Sequence, residues 1–291
     1  MDLRELVLTL PAARVAEVEK LLALAGASSL CCEDAGDAPL LEPATGTAPL
    51  WPTVRLRALF RTDIDRGGVE RLLALADFGA GVAWRTWRES DWRRALEQRI
   101  EPLPIGRRLL VAPADWNGAT NRTLIRLGMG LGFGTGVHPT TALCLDWLEC
   151  AALESATILD FGCGSGVLAI AALRLGARYA WALDVEPQAL RAAQRNAERN
   201  GVAASIWIGR PEAAPAIKAD VVVANIVAGT LIGSVDWLAE RIAPGGRLVL
   251  GGILVAQCTD VERAFGRRFE GFEYAERAGW LRVTATAGTD A

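Results

Sequence analysis

The chain has 291 residues, 51% of them apolar, with a net charge of −3, six cysteines and a single histidine. That length suits one large domain or two ordinary ones, and the charge provides no broad basic face, so no direct nucleic-acid partner is expected. No apolar run reaches membrane-spanning length, the start at Met1-Asp2-Leu3-Arg4-Glu5 is unlike a signal peptide, and the cysteines lack metal spacing; a cytoplasmic monomer with no membrane partner and no metal is expected.

In chain order, Leu3 to Leu10 alternates as a strand, Arg14 to Leu24 has helical spacing closed by Gly26, and Ser28 to Cys32 is a short strand. After a loop rich in Asp, Pro and Gly, Val54 to Phe60 reads as a strand, Gly68 to Ala76 as a helix and Val82 to Trp87 as a strand. The order β-α-β-β-α-β is the split unit of a ferredoxin-like domain, placed at residues 1–89. Residues 90–104 are predicted to form a linker helix ended by Pro102-Leu103-Pro104. Between Lys20 and Arg55 there is no basic residue, while Glu33, Asp34, Asp37 and Glu42 are acidic. Such a loop is either a plain solvated surface or one that favours the approach of a basic partner.

Residues 105–291 read as an α/β domain with a mostly parallel sheet, alternating strands and helices from Thr157 onward. Its centre is Ile158-Leu159-Asp160-Phe161-Gly162-Cys163-Gly164-Ser165-Gly166, a buried strand turning tightly into the helix Val167 to Leu175. Gly162 and Gly164 fall where a ligand must approach the backbone. The next strand, Ala180 to Leu183, ends at Asp184, which is placed to accept hydrogen bonds from a ribose diol. A dinucleotide fold wants G-x-G-x-x-G, whereas this turn is G-x-G-x-G with Asp160 before it. A pyrophosphate would be repelled by that carboxylate and a cationic ligand favoured. S-adenosylmethionine, with an adenosine, a sulfonium and an ammonium, is therefore the expected cofactor.

Further along, Pro187 to Arg199 is an amphipathic helix, and Ser205–Ile208, Asp220–Asn225 and Arg247–Leu250 are strands. A helix ending at Pro244-Gly245-Gly246 is expected between the last two, and Glu270–Arg277 with Trp280–Thr286 as a terminal antiparallel pair.

A second constellation precedes the turn. Glycine stands at every second position from Gly128 to Gly136, followed by His138-Pro139-Thr140-Thr141. This fits a loop that closes on a ligand, with Thr140 or Thr141 capping a helix that starts near Ala142. Phe133 is placed either over the adenine or as an anchor for the loop; His138 either takes part in the chemistry or is a hydrogen-bonded structural residue. Asn225 ends its strand at the edge where open sheets bind ligands. Its carboxamide oxygen either accepts from an incoming amine or caps the following helix.

With these segments in view, the chain resembles the ribosomal protein L11 methyltransferase family. The resemblance is carried by Gly132-Phe133-Gly134-Thr135-Gly136-Val137-His138-Pro139-Thr140-Thr141, Asp160 to Gly166, Val221 to Ile226, Pro244 to Leu248 and Gly252-Ile253-Leu254, with Asp91-Trp92 and Glu101 to Trp116 in the first half. It implies a ferredoxin-like domain that holds the substrate protein, a linker, and a seven-stranded Rossmann-like methyltransferase domain. It also implies methylation of lysine side chains and the N-terminal amine of ribosomal protein L11, with cofactor contacts at Thr141, Gly162, Asp184 and Asn225. Gly128, Met129 and Gly132 depart from the family's usual acid, proline and alanine, which implies a more flexible cofactor loop. Two rival readings are methylation of another protein's lysines or of a small amine, and a cofactor-binding module without turnover.

Overall fold

The computed structural model describes residues 2–36, 50–78, 81–88, 101–128 and 138–288. The chain divides into two compact units, Met1–Arg99 and Ile100–Ala291.

The first unit contains β1 (Leu3–Pro11), α1 (Val15–Leu24), β2 (Ser29–Asp34), β3 (Thr53–Arg61), α2 (Arg66–Leu75) and β4 (Ala83–Trp87). Its strands pair antiparallel in the order β2-β3-β1-β4, the ferredoxin-like arrangement. Period-two alternation sends Leu6, Leu8, Leu10, Leu56 and Phe60 to the face covered by Val15, Val18 and Leu22 of α1 and by Val69 and Leu73 of α2. On the opposite face Glu5 is also buried. Its carboxylate accepts from Arg57 Nη1 at 3.2 Å and from Trp87 Nε1 at 3.0 Å, as a buried charge requires.

The second unit opens with a small sheet that the sequence reading did not foresee: β5 (Leu103–Ile105), β6 (Leu109–Pro113) and β7 (Thr123–Leu127). Leu103–Ile105 is strand although it falls at the end of the expected linker helix, the rest of which lies largely outside the described residues. Next come α3 (Pro139–Cys150), β8 (Thr157–Phe161), α4 (Val167–Arg174), β9 (Tyr179–Leu183), α5 (Pro187–Arg199), β10 (Ile206–Gly209) and β11 (Ala219–Asn225). The chain ends with α6 (Ala228–Gly233), α7 (Val235–Ala239), β12 (Ile242–Leu254), α8 (Cys258–Phe265), β13 (Phe269–Arg277) and β14 (Trp280–Ala287). Glu149, near the end of α3, accepts from the backbone N–H groups of Arg107 and Arg108 and so ties the small sheet to that helix.

The large sheet runs β10-β9-β8-β11-β12-β14-β13, parallel from β10 through β12, with β14 reversed. Both its faces are covered, so its central strands are continuous apolar runs rather than alternating ones. Ile158, Ala180, Ala182, Val221 and Val223 pack with α3, α4 and α5. Leu159, Leu183, Val222, Ala224 and Leu248 face α6, α7 and α8. The strand order reverses between β8 and β11, and ligands of such sheets sit at the C-terminal ends of the strands there.

Two expectations are corrected. The helix before β12 ends at Ala239, not at Pro244-Gly245-Gly246, and those three residues lie inside β12. They form a bulge: Ala219 pairs with Ile242 but Val221 with Arg247, and Gly245 supplies a left-handed φ of 70°. The second correction concerns α3, which starts at Pro139, with His138 as its cap rather than either threonine.

Candidate active site

The glycine turn leaves β8 at the switch point. Gly162, Gly164 and Gly166 have φ of 75°, 53° and 78°, the left-handed region that favours glycine. A Cβ on Gly162 would lie 2.3 Å from Ile226 Cγ2, so the turn also needs glycine for packing. Its first half is tied to the end of β9, because Gly162 N–H and Cys163 N–H both donate to Leu183 O, at 2.8 and 2.9 Å. Asp184, the next residue, reaches back: Oδ2 accepts from Gly164 N–H and Oδ1 from Glu186 N–H, each at 2.9 Å. Each carboxylate oxygen accepts more than one hydrogen bond, so half-buried Asp184 keeps capacity for a diol.

Asp160 lies fully buried behind the turn. Gly166, the N-cap of α4, has no side chain to offer, and Asp160 Oδ2 takes over by accepting from Ala169 N–H at 3.0 Å. Its Oδ1 is buried and has no hydrogen-bond partner among the described residues. Burial pushes the carboxyl from 3.8 up to about 7; the Ala169 N–H opposes that rise and the Asp184 charge adds to it. An orphaned carboxylate oxygen is costly in a dry interior unless a donor or cation meets it. These residues fit S-adenosylmethionine, whose ribose diol and ammonium both donate. They do not fit a pyrophosphate, which brings further negative charge.

Across the switch point, Asn225 ends β11 with its side chain half-buried. Its Nδ2 donates to Thr141 Oγ1 at 3.1 Å, and Thr141 is buried in the first turn of α3. Asn225 Oδ1 lies over β12, where a Cβ on Gly251 would come within 2.7 Å of it and within 2.8 Å of Cys144 Sγ. With its amide nitrogen committed to Thr141, the carboxamide keeps an acceptor oxygen for an amine N–H. The N-cap of α6 is Val227, not Asn225.

His138 caps α3 instead. Its Nδ1 sits 2.7 Å from Thr140 Oγ1 and accepts from Thr140 N–H at 3.4 Å, and its ring meets Trp280 edge-on at 4.9 Å between centroids. Phe133 lies outside the described residues. Of the acidic residues of the first unit, Glu33 is ion-paired with Arg57 at 2.9 Å and Asp34 accepts from Gly36 N–H; Asp37 and Glu42 lie outside the described residues. The six cysteines are free. Among the described residues no cluster of His, Cys, Asp and Glu has the make-up of a metal site, and no helix is long and apolar enough to cross a membrane.

The sequence reading missed Gly251, Trp280 and Asn196. Gly251 had a signal, the Gly-Gly pair inside a strand, which marks a close approach. Asn196 also had one, a polar residue on the alanine face of an amphipathic helix.

A family model described as ribosomal protein L11 methyltransferase matches residues 2–288. The ribosomal protein L11 methyltransferase of Pseudomonas putida is 44% identical over 265 residues, covering 89% of this chain and 90% of its own. The Pseudomonas aeruginosa protein of the same name is 43% identical over 270 residues, covering 91% and 92%. A ribosomal protein L11 methylase from Lactobacillus delbrueckii subsp. bulgaricus, a crystal structure, superposes with a TM-score of 0.59 at 30% identity, over 64% of this chain and 98% of its own. The chain belongs to the ribosomal protein L11 methyltransferase family, and it is an enzyme that uses S-adenosylmethionine.

Proposed function

We propose that this enzyme methylates lysine side chains and the N-terminal amine of ribosomal protein L11, working in the cytoplasm as a monomer. The observation that carries the chemistry is the pairing of Asn225 with Thr141 opposite the glycine turn. The bound cofactor supplies a methyl group activated on a sulfonium. Asp184 would hold its ribose, Gly162 and Gly164 would admit it to the backbone, and the unpartnered Asp160 oxygen would favour its cationic end.

The substrate amine needs a free lone pair, and an unperturbed lysine has a pKa of about 10.4. Burial of the amine beside the sheet edge favours loss of its proton to water. Asn225 Oδ1 then accepts an N–H of the neutral amine and turns the lone pair toward the methyl group. A carboxamide does this without competing for the proton, and alignment is the main catalytic term in an in-line transfer. His138 is assigned a positioning role: capping α3 keeps Thr141 in place, and Thr141 in turn holds Asn225.

Recognition of the protein substrate is assigned to the first unit, which has no glycine turn, and Phe133 to the cofactor side of the loop. The test is to incubate the enzyme with a mixture of ribosomal proteins and methyl-labelled S-adenosylmethionine. Label confined to L11 supports the reading. Equal labelling of other lysine-rich ribosomal proteins, or of free lysine, favours the broader amine methyltransferase instead.

A further inference from the structure

Asn196, in the last turn of α5, and Asn200, the cap that follows it, are both buried. The rest of that buried face is Ala189, Ala193 and Ala197. Small side chains let α5 pack against the glycine turn, where a Cβ on Gly166 would lie 3.1 Å from Ala193 Cβ. A carboxamide in such a seam is retained only with its donors and acceptors matched.

The two asparagines do different things. Asn200 joins β7 to the end of its own helix: its Oδ1 accepts from Arg126 N–H at 2.8 Å, and its Nδ2 donates to Arg126 O at 2.7 Å and to Asn196 O at 2.8 Å. Asn196 joins two separate segments. Its Nδ2 donates to Ser165 O, in the turn, at 3.0 Å. Its Oδ1 accepts from Gly128 N–H at 2.9 Å and from Arg199 Nη1 at 2.7 Å. Gly128 directly follows β7 and opens the glycine-rich stretch of sequence that runs to Gly136.

Three glycines at positive φ leave the turn few side chains to fix its shape. Leu183 O holds its first half, and the carbonyl of Ser165 is where α5 takes hold of the second. We propose that Asn196 is a positioning residue of the cofactor site, whose carboxamide fixes the glycine turn against the first residue of the glycine-rich stretch and so preorganises the turn for S-adenosylmethionine. It acts through Ser165 and touches no reacting atom. The proposal rests on the cofactor lying at the 162–166 turn.

The test compares N196D, N196A and N200A in the full chain, reading cofactor Kd by calorimetry, Tm, and KM and kcat for L11. Asn196→Asp keeps an acceptor for Gly128 N–H and a partner for Arg199 but sets a carboxylate oxygen against the Ser165 carbonyl. Cofactor Kd is expected to rise roughly tenfold, equivalent to about 1.4 kcal/mol, in both Asn196 variants, with KM for L11 unchanged. Asn200→Ala, which loses its bonds to β7, is expected to lower Tm and leave cofactor Kd unchanged. Unchanged Kd in Asn196→Asp overturns the proposal, as does an equal rise in Kd for Asn200→Ala, which would make both residues simple supports of the fold. Asp184→Ala separates the premise from the proposal. Unchanged affinity there refutes the cofactor's placement and this role with it; weakened affinity there beside unweakened Asn196→Asp refutes the role of Asn196 alone.

Discussion

Asn225 Nδ2 donates to Thr141 Oγ1 across 3.1 Å, joining the end of β11 to the first turn of α3, 84 residues apart in the chain. That bond commits the carboxamide nitrogen to α3 and leaves Oδ1 as the acceptor that the proposed mechanism assigns to the amine. Asn225→Ala should lower kcat roughly 10²-fold, the scale of a misaligned reacting group, and change cofactor Kd far less. Stopped-time methyl incorporation alongside calorimetry checks this. Parallel losses of rate and affinity would make Asn225 a cofactor contact.

Gly251 tests the same geometry from the neighbouring strand. A methyl group there would press on Asn225 Oδ1 and Cys144 Sγ. Gly251→Ala should cost about 1–3 kcal/mol of stability, as overpacking does, and reduce methyl transfer in the folded fraction. A variant with full kcat would show that the Asn225 side chain need not lie across β12.

Asp184 accepts from Gly164 N–H and Glu186 N–H and is assigned the ribose diol. Charge-assisted bonds of that kind contribute roughly 1.5–3 kcal/mol each. Asp184→Ala should therefore weaken cofactor binding at least about tenfold. Calorimetry on the folded variant is the check, and unchanged affinity removes the assignment.

Asp160 predicts a pH dependence of stability. Its folded pKa, about 7, lies above the ordinary 3.8 because the carboxylate is buried. The folded state thus holds this proton more tightly than the unfolded chain. The stability it confers is full below about pH 4, falls as pH rises to about 7, and is level above that. The loss amounts to at most about 4 kcal/mol. Asp160→Asn should lack that fall, so the stability of wild type minus variant should decline across the window in denaturant titrations. A difference that stays flat with pH would mean that Asp160 is ionised in the folded state throughout.

Much of this site is legible in the sequence because its parts are local. Asp160 to Gly166 spells strand, turn and helix within a few residues, and Asp184 and Asn225 are marked by strand ends. Contacts between distant segments are not legible in that way. Nothing near Thr141 announces Asn225, and nothing near Gly128 announces Asn196. His138 illustrates the limit: the sequence leaves open a part in the chemistry or a hydrogen-bonded structural role, and only the fold shows Nδ1 capping α3 with the ring set against Trp280. The β5-β6-β7 sheet escaped because its middle strand, Leu109–Pro113, is a continuous apolar run without alternation, which periodicity alone does not assign to strand. Pro244-Gly245-Gly246 misled because it reads as a helix stop as readily as a bulge.

The most direct measurement is the intact mass of ribosomal protein L11 before and after incubation with the enzyme and S-adenosylmethionine, followed by peptide mapping. A rise in whole methyl increments is expected, located on lysine side chains and the N-terminal amine, and slowed at limiting cofactor by Asp184→Ala. An unchanged mass with an enzyme that demonstrably binds the cofactor, or methyl groups on atoms other than amine nitrogens, would contradict it.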